Sequence, residues 1–401
     1  MPTLTPTTTD AFYGNDAHQR YDHYKHPIRD AGGNPVFIHR HGGGWQSRDK
    51  RQISIDTDEA NTLAYALLGQ TDVHFDVISI ESRQARWDSP TTTAAFGYSE
   101  PSTVPTYYPE SWMDYKRAIL FFKLNAAQLG INPDKIVVGG SSSGACIALW
   151  SQCTPPLVSG PSNEGSGYQG GQIQRATNIR QTTGDLRKRV DSTALGVWFH
   201  QGIADFRKRG SLETYTASLW YSIYGVANAT AAAALSTAAR EAVSAIAYIE
   251  KNTPYWAPVF AQYANTKNRF SGADYTAGTG TITKVGQFTA SATPYANFQA
   301  GDMITASTPS GSFTVPIVSR VSNDAITVAA NALGTSNLTA SVSATITMGV
   351  PYGGTNRDLH DEEIGNDLMR ACQRAGLPCG LSNYASFRAE PAVAWMKGLV
   401  R

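Results

Sequence analysis

The sequence is poor in cysteine, and this limits the kinds of site it can build. Its 401 residues include only four cysteines, Cys146, Cys153, Cys372 and Cys379, with a spacing of seven within each pair. Four are too few for a disulfide scaffold, and spacings of seven do not match a zinc site. We therefore expect buried thiols on helix faces and a reducing, cytosolic origin.

The sequence also lacks net charge and long apolar runs. Its 33 lysines and arginines nearly balance 32 aspartates and glutamates, and no basic run stands out, so we expect no nucleic-acid partner. No apolar stretch is long enough to cross a bilayer, so we expect no membrane insertion. The start, MPTLTPTTTDAFYG, lacks the basic and apolar regions of a secretory signal, and we expect none.

Short apolar runs alternate with helical patterns along most of the chain. The runs NPVFIHR, VHFDVISIESR, KIVVGG and ALGVWFHQGIAD predict strands, whereas EANTLAYALLGQ, SWMDYKRAILFFKLNAAQLGI (capped by Ser111), SGACIALWSQC and the Ala-rich segment 228–252 predict helices. Strands that alternate with helices favour a mostly parallel sheet with helices on both faces. The fold class is therefore α/β.

The alternation stops near Phe270. From there to about Thr347 the sequence is rich in Thr, Ser, Val and Gly, and GSFTVPIVSRVSNDAITVAA predicts two strands joined at residues 322–324. The helical pattern returns in DEEIGNDLMRACQRAGLP. We therefore predict an N-terminal arm (1–15), an α/β domain in two parts (16–269 and 349–401) and an inserted all-β module (270–348).

The segment KIVVGGSSSGACIAL places Ser142 between a predicted strand and a predicted helix. Glycines two residues before and after it allow the sharp turn that exposes a nucleophilic serine, although such a pattern also fits a plain serine-rich turn. HGGGW, residues 41–45, follows an earlier strand. Backbone N–H groups of such a glycine loop can bind a developing oxyanion. The two motifs in this order predict a nucleophile elbow and an oxyanion hole.

These motifs resemble the carboxylesterase branch of the α/β-hydrolase superfamily. The similarity includes FYGNDAHQRYDHYKHP, PVFIHRHGGGW and GTNRDLHDEEIGNDLMRACQRAGLP, and it covers residues 12–260 and 350–400. It implies an α/β-hydrolase fold with Ser142 as the nucleophile. It also implies an oxyanion hole formed by the N–H groups of Gly43, Gly44 and Ser143. No cofactor and no metal are implied.

The same resemblance implies an acid and a base. Asp358 matches the position of the family's acid with one extra residue in the spacing, and Asp361 is the alternative; both also suit the start of a helix as simple dipole partners. The family's catalytic histidine lies after the last strand. Here no histidine follows His360, which favours loss of activity; a base in a non-standard position would come from His200, with Asp205 nearby, or from His360 beside Asp358.

The insert resembles small β modules of bacteriophage tail and other virion proteins. The segment NFQAGDMITASTPSGSFTVPIVSRVSNDAITVAANAL carries this resemblance, although carbohydrate-binding or oligomerisation modules are also compatible. Together with the missing histidine, it implies a virion structural or host-contacting protein with weak or no catalysis. Such a protein would be assembled in the host cytoplasm and bind other virion proteins or itself.

The alternative function is an active serine carboxylic ester hydrolase with a displaced base, for example a cytoplasmic or virion-borne glycan O-acetyl esterase. The intact HGGGW and GSSSG motifs favour it. The missing C-terminal histidine favours the virion role. The sequence leaves both functions open.

Overall fold

The structure is a computed structural model, and it describes residues 4–16, 18–45, 50–51, 53, 59–84, 106–157, 190–207, 220–251, 256–264, 268–285, 303–322, 324–347, 362–384 and 387–401. The chain forms two compact units. The first contains Met1–Arg207, Glu213–Tyr263 and Ile364–Arg401, and the second contains Lys208–Leu212 and Ala264–Glu363. The domain boundaries proposed from the sequence stay predictions.

The described strands are β1 (Thr8–Phe12), β2 (Arg20–Tyr24), β3 (Asn34–Arg40), β4 (Asp76–Ile80), β5 (Ile131–Ser141), β6 (Gly196–His200), β7 (Val259–Ala264), β8 (Asn268–Thr276), β9 (Thr281–Thr283), β10 (Met303–Thr308), β11 (Gly311–Ser322), β12 (Ala325–Val328), β13 (Leu338–Thr347) and β14 (Cys379–Tyr384). The described helices are α1 (Glu59–Leu68), α2 (Glu110–Leu124), α3 (Ala126–Leu129), α4 (Ser143–Cys153), α5 (Ala229–Ala233), α6 (Thr237–Ala242), α7 (Ala245–Glu250), α8 (Glu362–Arg374) and α9 (Glu390–Val400). A 3₁₀ turn spans Ala277–Thr279.

The first unit is built on an eight-stranded sheet in the order β1-β2-β4-β3-β5-β6-β7-β14. Strands β4, β3, β5, β6 and β7 pair in parallel, whereas β1 and β2 are antiparallel at one edge. Strands β3, β4 and β6 are buried along their whole lengths and β5 is buried from Ile136 to Gly140, as expected for a sheet covered on both faces. The predicted mostly parallel α/β architecture is confirmed.

Helices α1 and α9 cover one face of this sheet. Their apolar residues share a core with Phe37, Val137 and Trp198 from three adjacent strands. Helices α2 and α4 pack on the other face, where Tyr115 donates its hydroxyl to the carbonyls of Ile38 and Gly139 at 2.8 Å. The sheet therefore lies between two layers of helices, and packing against these layers fixes the positions of its parallel strands.

Three predictions from local sequence differ from the structure. Part of the predicted arm, Thr8–Phe12, is the edge strand β1, and its Asp10 N–H donates to the buried carboxylate of Asp22 at 2.9 Å. Helix α2 begins at Glu110 with Pro109 at the N-cap, so Ser111 lies inside the first turn and is not the cap. The Ala-rich segment is three short helices, and Ser236 inside it accepts the Ala239 N–H as the N-cap of the second one.

The second unit contains a closed six-stranded barrel in the order β10-β11-β12-β9-β8-β13. The predicted hairpin at residues 322–324 is present, since β11 and β12 pair antiparallel from Ser322 and Ala325 onward. The interior of the barrel holds apolar residues from its strands, including Tyr275, Ile304, Ile326 and Val342. Barrel closure leaves these strands without a free edge, and the predicted all-β module is confirmed as a fold.

The cysteines lie largely in the interior, as expected. The thiols of Cys146, Cys153 and Cys372 are buried, and Cys379 on β14 is half-buried. Among the described residues no helix is long and apolar enough to span a bilayer.

Candidate active site

The carboxyl ends of β3, β5 and β6 bring the predicted site residues together. In the parallel register, Arg40 lies opposite Gly140, and Ser141 lies opposite His200. HGGGW follows β3, Ser142 follows β5, and His200 ends β6. The three segments therefore meet at one edge of the sheet, because neighbouring parallel strands end side by side.

Ser142 adopts a backbone conformation that is rare for a side chain other than glycine. Its φ is 51° and its ψ is −118°, between the last residue of β5 and the first residue of α4. The Ser142 N–H donates to the carbonyl of His200 at 2.9 Å, and the Ser142 carbonyl accepts from the Cys146 N–H at 3.1 Å. These bonds hold the turn in a strained geometry of the kind that presents a nucleophile.

The two glycines that flank Ser142 are required by close backbone contacts. A Cβ at Gly140 would lie 2.5 Å from the carbonyl oxygen of Arg40, and a Cβ at Gly144 would overlap the same oxygen. Only glycine fits at either position. The strand-to-helix turn is therefore packed directly against the start of the HGGGW loop.

The HGGGW loop lies beside the candidate nucleophile. A Cβ at Gly42 would be 3.2 Å from the Cβ of Ser142, and the next three residues, Gly43, Gly44 and Trp45, have φ values of 101°, 63° and 64°. Ser143 begins α4, where backbone N–H groups have no acceptor within the helix. A loop of this shape against a helix N-terminus suits the binding of a developing oxyanion.

Trp45 anchors the far end of this loop in a buried aromatic cluster. Its ring stacks on Trp112 of α2 with an interplanar angle of 3° and a centroid distance of 6.1 Å. Phe206 packs against both rings at 6.3 and 6.4 Å. The left-handed conformation of Trp45 is thereby held by packing on α2.

The ring of His200 lies next to Ser141, one residue before the candidate nucleophile. Its Nδ1 is 3.1 Å from Ser141 Oγ, and its ring stacks on Trp198 at 4.9 Å and 4°. The ring of Phe387 packs against it at 5.6 Å. Phe387 lies in the segment after β14, the segment in which the carboxylesterase resemblance implies a catalytic histidine. His200 therefore borders the place from which that histidine would come.

His39 and His41 also lie close to the site, and neither has the properties of a base. Burial lowers the pKa of His39 to about 3, and neither of its ring nitrogens has a hydrogen-bond partner among the described residues. In His41, Nδ1 lies 2.7 Å from the Gly42 carbonyl and Nε2 lies 3.0 Å from Glu81 Oε1. Both nitrogens of His41 are thus engaged.

The His41–Glu81 pair was not recognised from the sequence. Glu81 directly follows β4, and both side chains are buried. Although burial acts to raise it, the charge and hydrogen bond of His41 lower the pKa of Glu81 to about 2. The sequence shows a glutamate directly after a predicted strand, but only the strand order β4-β3-β5 places that glutamate beside His41.

The remaining predicted residues have different positions. Asp358, Asp361 and His360 lie outside the described residues, so their proposed roles stay predictions. Asp205 pairs with Arg207 through two contacts of 2.9 and 2.8 Å. The described residues contain no cluster of three or more histidine, cysteine or acidic side chains suited to a metal ion.

Comparison with known proteins gives a consistent family. The model of the BD-FAE family matches residues 22–260. An "AB hydrolase superfamily protein" from Schizosaccharomyces pombe is 32% identical over 123 residues, which cover 31% of this chain and 28% of that protein. This chain therefore matches less than a third of the length of that curated relative.

A solved structure shares the fold over nearly its full length. It is described as a truncated form of a carbohydrate esterase from gut microbiota, with a TM-score of 0.52 and 13% identity. The match covers 100% of this chain and 99% of that one. The predicted α/β-hydrolase fold is confirmed.

Proposed function

This chain belongs to the BD-FAE family of α/β hydrolases, and on that basis we propose that it is a serine carboxylic ester hydrolase with Ser142 as its nucleophile. The observation that carries the proposal is the conformation of Ser142, with φ of 51° at the strand-to-helix turn. Such strain costs about 1–3 kcal/mol and is maintained where a reactive side chain must be presented.

The proposed reaction follows from the arrangement around Ser142. Its Oγ attacks the ester carbonyl carbon while the base takes its proton, and the N–H groups of Gly43, Gly44 and Ser143 bind the resulting oxyanion. The base then returns the proton to the departing alcohol, which leaves an acyl-serine. A water molecule, deprotonated by the same base, attacks the acyl carbon. The bond to Ser142 Oγ then breaks, the base returns the proton to that Oγ, and the carboxylic acid is released.

We assign the base to His200. With Nδ1 protonated and donating to Ser141 Oγ at 3.1 Å, Nε2 carries the lone pair that a base needs. Three other described histidines are less suitable: burial disfavours the protonated form of His39 that a base must become, His41 is engaged at both nitrogens, and His23 contacts Asp76 at 2.7 Å at the start of β4. Start and end of a parallel strand lie at opposite edges of the sheet, so His23 is far from Ser142.

Esters carried by carbohydrates are the first substrates to test. A solved structure with the same fold is named a carbohydrate esterase, and an O-acetyl group on a glycan offers the carbonyl that this arrangement would attack.

The test combines active-site labelling with hydrolysis. A fluorophosphonate probe should label the full chain at one site, and Ser142→Ala should abolish labelling, whereas Ser151→Ala on α4 should not. Hydrolysis of p-nitrophenyl acetate should fall roughly 10⁴- to 10⁶-fold in His200→Gln, because loss of a triad member has an effect of that size. His74→Gln, at an exposed pair with Asp30, should leave the rate unchanged.

A second candidate is a bacteriophage virion protein, structural or host-contacting, with weak or no catalysis. The absence of any histidine after His360 supports it, and so do the exposed apolar side chains of Val318 and Val321 on the barrel strand β11, which are 55% and 61% exposed. Such side chains suit a contact with other virion proteins or with a second copy of the chain. Its proposed location is the virion, after assembly in the host cytoplasm.

Light scattering coupled to size-exclusion chromatography distinguishes the two candidates. A virion component should be oligomeric, and Val318→Ser with Val321→Ser should reduce its mass toward that of one chain. An unlabelled, inactive wild type that self-associates through β11 would favour the virion role. A monomer labelled at Ser142 would favour the hydrolase.

A further inference from the structure

Two cysteines flank the turn that joins α8 to β14. Cys372 lies in the last turn of α8 and is buried, whereas Cys379 is the first residue of β14 and is half-buried. The helix ends in a Schellman motif: the Leu377 N–H donates to the Cys372 carbonyl at 2.8 Å, the Gly376 N–H donates to the Gln373 carbonyl at 3.1 Å, and Gly376 has a left-handed φ of 69°. These bonds fold the chain back directly after the helix, beside its last turn.

The start of β14 is also fixed from its other side. The carbonyl of Pro378, the residue before Cys379, accepts the Val259 N–H of β7 at 3.1 Å. The backbone of Cys379 is therefore held between the end of α8 and the neighbouring strand. Both cysteines thus have fixed positions in the first unit.

The two thiols interact directly. A hydrogen bond between them is the largest influence on the pKa of each, lowering the pKa of Cys372 and raising the pKa of Cys379. The Cys379 S–H therefore donates to the Cys372 sulfur and favours its thiolate; a second contact of Cys379 Sγ, with the Gly380 carbonyl, is longer at 3.9 Å. Burial raises the pKa of the Cys146 thiol to about 12 and also raises that of Cys153. Because the thiolate is the reactive form, Cys372 is the nucleophilic member of the four.

We propose that Cys372 and Cys379 are a redox-sensitive pair, in which a peroxide closes a disulfide across the α8–β14 turn with Cys372 as the attacking thiol. The half-buried position of Cys379 gives a molecule as small as hydrogen peroxide access to the pair. This inference is independent of the proposed hydrolase function.

The reaction has two steps. The Cys372 thiolate attacks one oxygen of hydrogen peroxide and the O–O bond breaks, which gives a sulfenic acid and hydroxide. The Cys379 sulfur loses its proton to this hydroxide and attacks the Cys372 sulfur, the S–O bond breaks, and a second hydroxide leaves. That hydroxide takes up the proton that Cys372 had released. In sum, two thiols and one peroxide give a disulfide and two water molecules.

The disulfide would tie the edge strand of the sheet to the helix before it. Strand β14 is the last strand in the order of the eight-stranded sheet, and the bond closes the loop of residues 372–379. Closing this loop restricts the unfolded chain and so favours the folded state. The segment after β14 contains Phe387, which packs against the ring of His200, so the stabilised strand is the one that leads to the candidate active site.

The first test locates the bond. The reduced full chain is treated with hydrogen peroxide, its remaining thiols are blocked with iodoacetamide, and it is digested with trypsin without reduction. Trypsin cleaves after Arg374, between the two cysteines, so mass spectrometry should find peptides 371–374 and 375–388 joined and lighter by two hydrogen atoms. Two free thiols after treatment, a bond from peptide 371–374 to the peptide that contains Cys153, or a bond to a second copy of the chain would overturn the proposal.

The second test compares Cys379→Ser with Cys379→Ala. Neither variant can form the disulfide, but the serine hydroxyl keeps a hydrogen-bond donor for Cys372 and alanine removes it. Peroxide should therefore add oxygen to peptide 371–374 in both variants, and faster in Cys379→Ser. Equal rates would refute the role of Cys372 as the thiol activated by its partner.

Cys153→Ala is the matched control, since it removes a buried thiol outside the pair. It should give the same joined peptides at the wild-type rate. The midpoint of thermal unfolding, followed by tryptophan fluorescence, should rise by several degrees on oxidation of the wild type and of Cys153→Ala, but not of Cys379→Ser. A midpoint that falls on oxidation of the wild type would show that the bond distorts the turn, and would refute the fit of the pair.

Discussion

Lys116 is a buried lysine on α2 whose removal should change how stability depends on pH. Its Nζ donates to Thr154 Oγ1 and to the Pro155 carbonyl, both at 2.6 Å, and lies 4.7 Å from the ring centroid of Trp150. These acceptors lie just after α4, the helix that begins at the nucleophile elbow. Burial lowers the pKa of Lys116 from 10.5 to about 7.

The size of the effect follows from that difference. In the unfolded chain Lys116 keeps its proton up to pH 10.5, whereas in the folded protein it loses the proton above about pH 7. Between these values the unfolded state binds more protons, so stability rises with pH, by about 1.4 kcal/mol per pH unit. Over the full range the free energy of unfolding rises by about 5 kcal/mol, and from pH 7 to pH 9 it rises by about 2 kcal/mol. Well below pH 7 Lys116 is protonated in both states, so it no longer makes the free energy of unfolding depend on pH.

The perturbation is Lys116→Met, which has similar length and no charge. The free energy of unfolding is measured by urea titration at pH 7, 8 and 9. Tryptophan fluorescence reports the first unit alone, because all eight tryptophans belong to it. The free energy of unfolding of the variant minus that of the wild type should be about 2 kcal/mol larger at pH 7 than at pH 9. Comparing this difference between pH values cancels the constant cost of leaving the Thr154 and Pro155 acceptors unpaired.

Lys251→Met is the control, because Lys251 is 60% exposed and pairs with Glu241 at the surface. Its difference from the wild type should be the same at all three pH values. An identical pH independence for Lys116→Met would show that Lys116 keeps its proton in the folded protein, and the reasoning from burial would be refuted.

Three further predictions concern the elbow and the barrel. Ser142→Gly should raise the free energy of unfolding by about 1 kcal/mol, because glycine relieves the strain at φ of 51°. Ser151→Gly inside α4 should lower the free energy of unfolding by a similar amount. If both substitutions changed it by the same amount in the same direction, the strain at Ser142 would be refuted. Gly144→Ala should lower the free energy of unfolding by about 3 kcal/mol or more and abolish labelling at Ser142, because the new Cβ overlaps the Arg40 carbonyl. Gly398→Ala, where α9 has open space, should be neutral or stabilising. Ile326→Ala should cost about 2–4 kcal/mol in the barrel core and speed hydrogen exchange in β8–β13 but not in β5; uniform acceleration would contradict separate units.

Several structural features followed from local sequence because they depend on local chemistry. Apolar runs between glycines predicted β3, β5 and β6, since strands buried on both faces need continuous apolar residues. The turn around Ser142 was predicted because the glycines on either side of it allow two backbones to approach closely. The barrel hairpin at residues 322–324 was predicted from alternation and turn residues. Each pattern lies within about a dozen neighbouring residues.

Local patterns were insufficient where competing caps decided the outcome. The Ala-rich segment has high helix propensity throughout, yet Ser236 inside it accepts the Ala239 N–H three residues ahead and starts a new helix. The predicted cap Ser111 was wrong because the chain already enters the helix at Glu110. Propensity is a sum over the segment, whereas a helix end depends on one or two hydrogen bonds.

The sequence by itself determined the nucleophile candidate, the glycine loop, the α/β class and the all-β insert, because each is written in a short run of residue types. Only the tertiary structure decided which side chains meet across strands. The order β4-β3-β5-β6 brings Glu81 to His41 and His200 to Ser141, although these partners are 40 and 59 residues apart in sequence. Strand order and register arise from how the whole sheet packs, so hydrogen bonds that depend on them have no local sequence signature.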